Sequence, residues 1–118
     1  MAFETRAVAR YVRMSPQKVR LVADRVRGMM AVDALTVLRH MPQAAALPMY
    51  KVIKSAIANA EENIGLDRES LYISQLTVDG GPMMKRWRAG ARGRYKPILK
   101  RSSHITVVLS EVEEWAVD

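Results

Sequence analysis

The stretch from Asp79 to Ser103, DGGPMMKRWRAGARGRYKPILKRSS, decides how this chain of 118 residues is read. It has neither a continuous apolar face nor the composition of a flexible linker, and it lies between two runs with strand character. In the run after it, His104 to Leu109, Ile105, Val107 and Leu109 alternate inward as in a half-buried strand. The run before it carries Leu71, Ile73, Leu76 and Val78, and its apolar parity switches between Ile73 and Leu76, which predicts a bulge. If these strands pair antiparallel, the segment between them folds back on itself, with its turn near Gly90-Ala91-Arg92-Gly93, where glycine supplies positive φ. Arms of about ten to thirteen residues would project roughly 35 to 45 Å at about 3.3 Å per residue. A compact body of this length is only about 30 Å across. A two-stranded ribbon alone in water is marginal, so this one is expected to take its order from a partner.

Charge placement names the kind of partner. The net charge is +7, yet from Gly80 to Ser110 there are eight cations (Lys85, Arg86, Arg88, Arg92, Arg94, Lys96, Lys100 and Arg101) and no acid. The first 30 residues add Arg6, Arg10, Arg13, Lys18, Arg20, Arg25 and Arg27 against Glu4 and Asp24. Acids gather elsewhere, at Glu61, Glu62, Asp67 and Glu69 and near the end at Glu111, Glu113, Glu114 and Asp118. A bland solvated face mixes signs. A segregated basic segment suits a polyphosphate, because each neutralised phosphate releases counterions. Nucleic acid is the reading favoured by charge, with an anionic membrane or an acidic protein as alternatives. Arginine bridges phosphate oxygens and stacks on bases, whereas Lys85, Lys96 and Lys100 act as point charges. Trp87 and Tyr95 flank the tip, placed either to stack on unpaired bases or to pack on each other across the ribbon.

Working outward, residues 3 to 14 read as a strand. Ser15-Pro16 opens a helix, with the serine oxygen expected to cap an early amide and proline at the first helical position. That helix runs to Arg27, with Val19, Val22, Ala23 and Val26 as its core stripe, Lys18 and Arg25 on the open side and Gly28 as left-handed cap. A second helix starts near Val32 with Leu35 and Leu38 inward and ends before Met41-Pro42. A third spans roughly Gln43 to Ile64, its buried face Met49, Ile53, Ile57, Ala60 and Ile64, widened by Val52 and Ala56. Gly65 closes it, and Pro48 near its start shifts the N-terminus or kinks it. Lys18 and Arg20, near the start of the first helix, are the helical cations expected to meet nucleic acid.

Several functions are excluded. No run approaches the roughly 18 apolar residues of a membrane span, and the N-terminus has no secretory pattern. Without cysteine there is no disulfide framework or thiol nucleophile. His40 and His104 lack ligand-spaced partners, so no metal or other cofactor is expected; His104 is expected to hydrogen-bond locally or meet RNA at the ribbon's base. Any Ser, His and Asp triad drawn here is arbitrary, and no enzyme activity is expected. Gly90-x-x-Gly93 is a poor match to the clamping loop of KH domains, because Arg94-Tyr95-Lys96-Pro97 is a weak helix start. A DNA-binding module using the ribbon in a groove, or a protein recruiting acidic partners without RNA, are the competing classes.

Three blocks carry a family resemblance: Met14 to Asp24 (MSPQKVRLVAD), Ser55 to Glu61 (SAIANAE) and Lys100 to Val108 (KRSSHITVV). In order and without large gaps from about Ala7 to Leu109, the chain resembles the family of large-subunit ribosomal protein number twenty-two, in its bacterial and organellar form. The resemblance implies an α+β fold, with three helices packed on a small antiparallel sheet and a long protruding two-stranded β-hairpin at about 79–103, all in one domain of residues 1–118. It implies a structural constituent of the large subunit that binds 23S-type rRNA, aids subunit assembly and lines the exit tunnel of the nascent polypeptide. The expected partners are that rRNA, other large-subunit proteins and the nascent chain, with no homo-oligomer, in a bacterial cytoplasmic ribosome or alternatively an organellar one. Ser15, in the first block, and Arg13, just before it, join Lys18, Arg20 and the ribbon cations as expected RNA contacts. The tunnel-lining tip falls on Arg88, Ala89, Gly90, Ala91, Arg92 and Gly93. The family usually carries Pro-Arg where this chain has Ala89-Gly90, which implies a less stiff tip with one cation fewer.

Overall fold

The computed structural model describes residues 4–82, 84–89 and 95–112. Three strands, β1 (Glu4–Val12), β2 (Leu71–Gly80) and β5 (Ser103–Glu111), form an antiparallel sheet in the order β1-β5-β2. Two more, β3 (Met84–Ala89) and β4 (Tyr95–Lys100), pair with each other as a separate antiparallel ribbon. Helices α1 (Pro16–Val26), α2 (Ala31–Arg39) and α3 (Ala46–Asn59) complete the α+β arrangement. Helix α3 lies on β1 and β5, α1 on β2, and α2 against α3.

Alternation makes the sheet one-sided. Thr5 and Ala7 of β1, Ile105, Val107 and Leu109 of β5, and Ile73, Leu76 and Val78 of β2 are buried toward the helices. The predicted parity switch is real: the β2–β5 register shifts between Ile73 and Gln75, and Ser74 Oγ donates to the Val108 carbonyl at 3.1 Å. That extra residue returns Leu76 and Val78 to the inner face after Ile73. The helices supply Val19, Val22, Ala23 and Val26, then Ala31, Ala34 and Leu38, then Met49, Val52, Ile53, Ala56 and Ile57.

Four local expectations are corrected. Ser15 is the N-cap residue of α1 but its side chain makes no capping hydrogen bond; the Ser15 carbonyl accepts from Lys18 and Val19 instead. In α2, Ala31 and Ala34 join Leu38 in the core, while Leu35 is half-buried. Helix α3 starts at Ala46, not Gln43, which puts Pro48 in the first turn, where a missing N–H breaks no intrahelical bond. Its end is a π turn, Ala60–Ile64, in which the Gly65 amide donates to Ala60. The wider turn rotates Ile64 off the apolar line, leaving it 38% exposed. Gly65 and Gly28 adopt the left-handed φ expected of helix ends.

The ribbon continues from the sheet through a joint. Pro82 lacks a ladder donor, and between the pairs Gly80–Ser103 and Met84–Lys100 one arm is a residue longer than the other. At the joint, the Gly81 amide donates to Ser102 O at 2.9 Å, and Ser102 Oγ to Pro82 O at 2.8 Å. Below them, Ser103 Oγ donates to Met14 O at 2.6 Å. The Tyr11 amide donates to His104 Nδ1 at 3.1 Å, and the two rings meet edge-on at 4.9 Å, holding Tyr11 at φ 57° beside the β1 bulge. The chain measures 68 × 25 × 20 Å with a radius of gyration of 17.7 Å, well above the roughly 13 Å of a compact 100-residue fold. The expected turn at 90–93 lies outside the described residues.

Gly81 has no room for a side chain. A Cβ there would overlap Ser102 Oγ and approach His104 Nε2 at 3.2 Å. Gly81→Ala should therefore lower stability by about 1–3 kcal/mol in urea denaturation, and adding Ser102→Ala should recover part of that loss.

Candidate nucleic-acid interface

Helix α1 carries cations with two different duties. Because β2 is an edge of the sheet, its outward carbonyls need donors. Arg20 Nε and Nη2 donate to Val78 O at 3.1 and 2.9 Å. Two turns further along the same face, Arg27 Nε and Nη2 donate to Leu76 O at 3.1 and 2.9 Å, and Arg27 also pairs with Asp24. Both guanidinium forks clamp the helix to the strand edge, a role sequence reading missed for Arg20 and Arg27. Arg20 as a residue remains exposed.

Lys18 and Arg25 lie on the other side of α1. They border a cleft of about 660 Å³ together with Arg13, Ser15 and Arg101, over a floor that includes Met14, Leu21 and Met41. The loop after β1, helix α1, the α2–α3 connection and the root of the ribbon meet here. Of the residues expected to touch nucleic acid, the fold thus gathers Arg13, Ser15, Lys18 and Arg101, and it adds Arg25. Its i, i+7 spacing from Lys18 already placed both on one face. Among the described residues no ion pair engages any of these four cations. Among the described residues no carboxylate lines the cleft.

The ribbon register sorts its residues into two alternating sets. Arg86, Arg88, Lys96 and Lys100 occupy one, opposite Ile98, Lys96, Arg88 and Met84. Lys85, Trp87, Ala89, Tyr95, Pro97 and Leu99 occupy the other. The ribbon therefore has a mainly cationic set and a mainly apolar set, a division hidden in the linear sequence because the pairing had to be known first. Trp87 stands opposite Pro97 and Tyr95 opposite Ala89. Lys100 and Arg101 at the root are exposed. Arg92 and Arg94, and the tip residues Gly90, Ala91 and Gly93, lie outside the described residues.

A second cationic group forms where α2 meets α3. Arg39 donates to the Tyr50 hydroxyl at 3.1 Å, and Arg39 and Lys54 each approach the Tyr50 ring to 5.9 Å. The hydrogen bond from Arg39 holds the phenol below its usual pKa, with both cations adding to the effect. Arg68 pairs with Glu61 at 2.6 Å beside it, which balances part of the charge. Among the described residues no group of His, Cys, Asp and Glu is placed to hold a metal, and no helix is long and apolar enough to cross a membrane.

Residues 7–110 match the family model described as ribosomal protein L22p/L17e. The chain belongs to this family. It is a family of ribosomal proteins, not of enzymes, and its matched span takes in most of the sheet, the three helices and the whole ribbon. Similar proteins named large ribosomal subunit protein uL22 come from Desulfotalea psychrophila, 55% identical over 92% of this chain and 98% of the relative, and from Synechococcus sp. strain JA-2-3B'a(2-13), 54% identical over 94% and 90%. The relative of the same name from Finegoldia magna is 48% identical over 93% and 98%.

The two duties of α1 separate by mutation. Arg20→Gln and Arg27→Gln should each lower stability by about 1 kcal/mol or more, since a strand-edge carbonyl loses a charged donor. Lys18→Gln and Arg25→Gln should stay within about 0.5 kcal/mol of the unaltered chain. Urea midpoints at constant m-value check both.

Proposed function

We propose that this chain is a structural component of the large ribosomal subunit of a bacterium, acting as one domain over residues 1–118. Its cleft cations Arg13, Lys18, Arg25 and Arg101, with Ser15 and the exposed part of Arg20, dock on large-subunit rRNA. Its ribbon, at about 79–103, carries Lys85, Arg86, Arg88, Arg92, Arg94, Lys96 and Lys100 between RNA segments, and its tip at residues 88–93 lines the nascent-chain exit tunnel. The reading also includes contacts with neighbouring large-subunit proteins and with the nascent polypeptide. The observation that carries it is the family membership of residues 7–110. The cations of the cleft, which no ion pair engages among the described residues, and the cationic set of the ribbon support it.

The physical mechanism is neutralisation. The helical layer buries its own core and holds the joint, whereas a two-stranded ribbon gains little from burial. Phosphates lift the mutual repulsion of its cations and let it bridge RNA segments far apart. Six to eight phosphate contacts give a log–log salt slope of roughly −4 to −7.

Sedimentation through a high-salt sucrose gradient tests the reading. A tagged copy should travel with the large subunit, and changing Arg86, Arg88, Arg92 and Arg94 together to Glu should weaken that association. A peak at the top of the gradient for both chains would overturn it. For the ribbon itself, amide hydrogen exchange in β3 and β4 should be fast without RNA and slow in the assembled subunit; strong protection in the free chain would remove the coupling of order to RNA.

A further inference from the structure

We propose that the cleft beside α1 is a socket for one unpaired nucleotide of the bound RNA, with the base on its apolar floor and the flanking phosphates on its rim; this rests on the RNA-docking reading above. Cations alone call for phosphates in any conformation. This cleft has more than cations. Leu21 stands 66% exposed between Lys18 and Arg25, on the same helix face, with the half-buried Met14 and Met41 beside it. A leucine so exposed, ringed by four cations and, among the described residues, no carboxylate, is a poor solvent face and a good seat for a group that is flat, weakly polar and attached to negative charge. At about 660 Å³ the cleft lies within the ~300–1,000 Å³ typical of small-ligand sites.

The form of RNA follows from the same features. A regular A-form duplex presents phosphates and sugar edges with its bases stacked inside, and would leave the floor in water. A base splayed from a loop or bulge fills it. Gln43 and Ser15 on the lining provide an amide and a hydroxyl, each able to donate and accept at a base edge. Ser15 is not engaged as a helix cap. An acidic peptide with an apolar side chain is the competing occupant. Charge continuity favours RNA, because Arg101 on the rim follows Lys100 directly and so joins the cleft to the cationic set of the ribbon.

The test uses the full chain and purified large-subunit RNA, with filter binding across a salt series and dimethyl sulfate reactivity of the RNA bases. Leu21→Ser removes the floor and keeps every charge. Its urea midpoint should match the unaltered chain because Leu21 is exposed. Affinity should fall about tenfold with an unchanged salt slope, and a base protected by the unaltered chain should become reactive. Arg25→Gln should instead reduce the slope by about one contact. If Leu21→Ser binds RNA like the unaltered chain, or no unpaired base is protected by either, the socket is overturned while RNA docking stands. If Leu21→Ser keeps its RNA but loses an acidic large-subunit protein in reconstitution, the occupant is a peptide and the socket is likewise overturned. No salt-dependent RNA binding by any of these chains would remove the docking reading as well.

Discussion

The antiparallel pairing of β5 with β2 is the interaction on which the rest depends. Ile105, Val107 and Leu109 are fully buried and sit at the centre of the sheet, with β1 on one side and β2 on the other. Once β2 and β5 run antiparallel in register, the chain between Gly80 and Ser103 must leave the sheet and return to it. The same pairing leaves β2 as an edge strand, and this is why Arg20 and Arg27 of α1 are drawn onto its carbonyls. A hydrophobic register thereby dictates where two of the helix cations are spent.

What leaves the sheet is shaped at the joint. A Cβ at Gly81 would overlap the Ser102 hydroxyl and crowd the His104 ring, and the Tyr11 backbone is held at positive φ with its amide on that ring. These contacts tie the ribbon's base to the end of β1 and, through Ser103 and Met14, to the loop that opens the cleft. The ribbon root and the cleft are therefore one mechanical unit. A partner that seats against Arg13 and Lys18 also meets Lys100 and Arg101. Such geometry suits a long polyanion better than a small ion, since the charges are spread along a path.

Much of the fold was legible in residue pattern because its determinants are local or periodic. Alternation in Ile105, Val107 and Leu109 and the parity switch after Ile73 describe the sheet. The stripe Val19, Val22, Ala23, Val26 describes α1. Legibility failed where the outcome hung on neighbours in space. The π turn at Ala60–Ile64, which leaves Ile64 exposed, is encoded by no periodicity. Ser15 carries the residue type of a cap without making the bond.

The candidate site divides in the same way. Segregation of charge and the three blocks from Met14 to Val108 were properties of the chain as written; the first favoured a polyanionic partner, and the second pointed to the ribosomal family that the match over residues 7–110 shows. Which cations face that partner was a tertiary matter. Arg20 and Lys18 are two residues apart, yet one clamps a strand edge while the other borders the cleft, because a helix turns them to different sides and only the packing of α1 on β2 says what lies there. Arg13, Arg25 and Arg101 are far apart along the chain and adjacent in space, since β1, α1 and the ribbon root converge on one opening. Charge is written residue by residue, but its partition between fold and ligand is set by which backbone groups the sheet leaves unpaired.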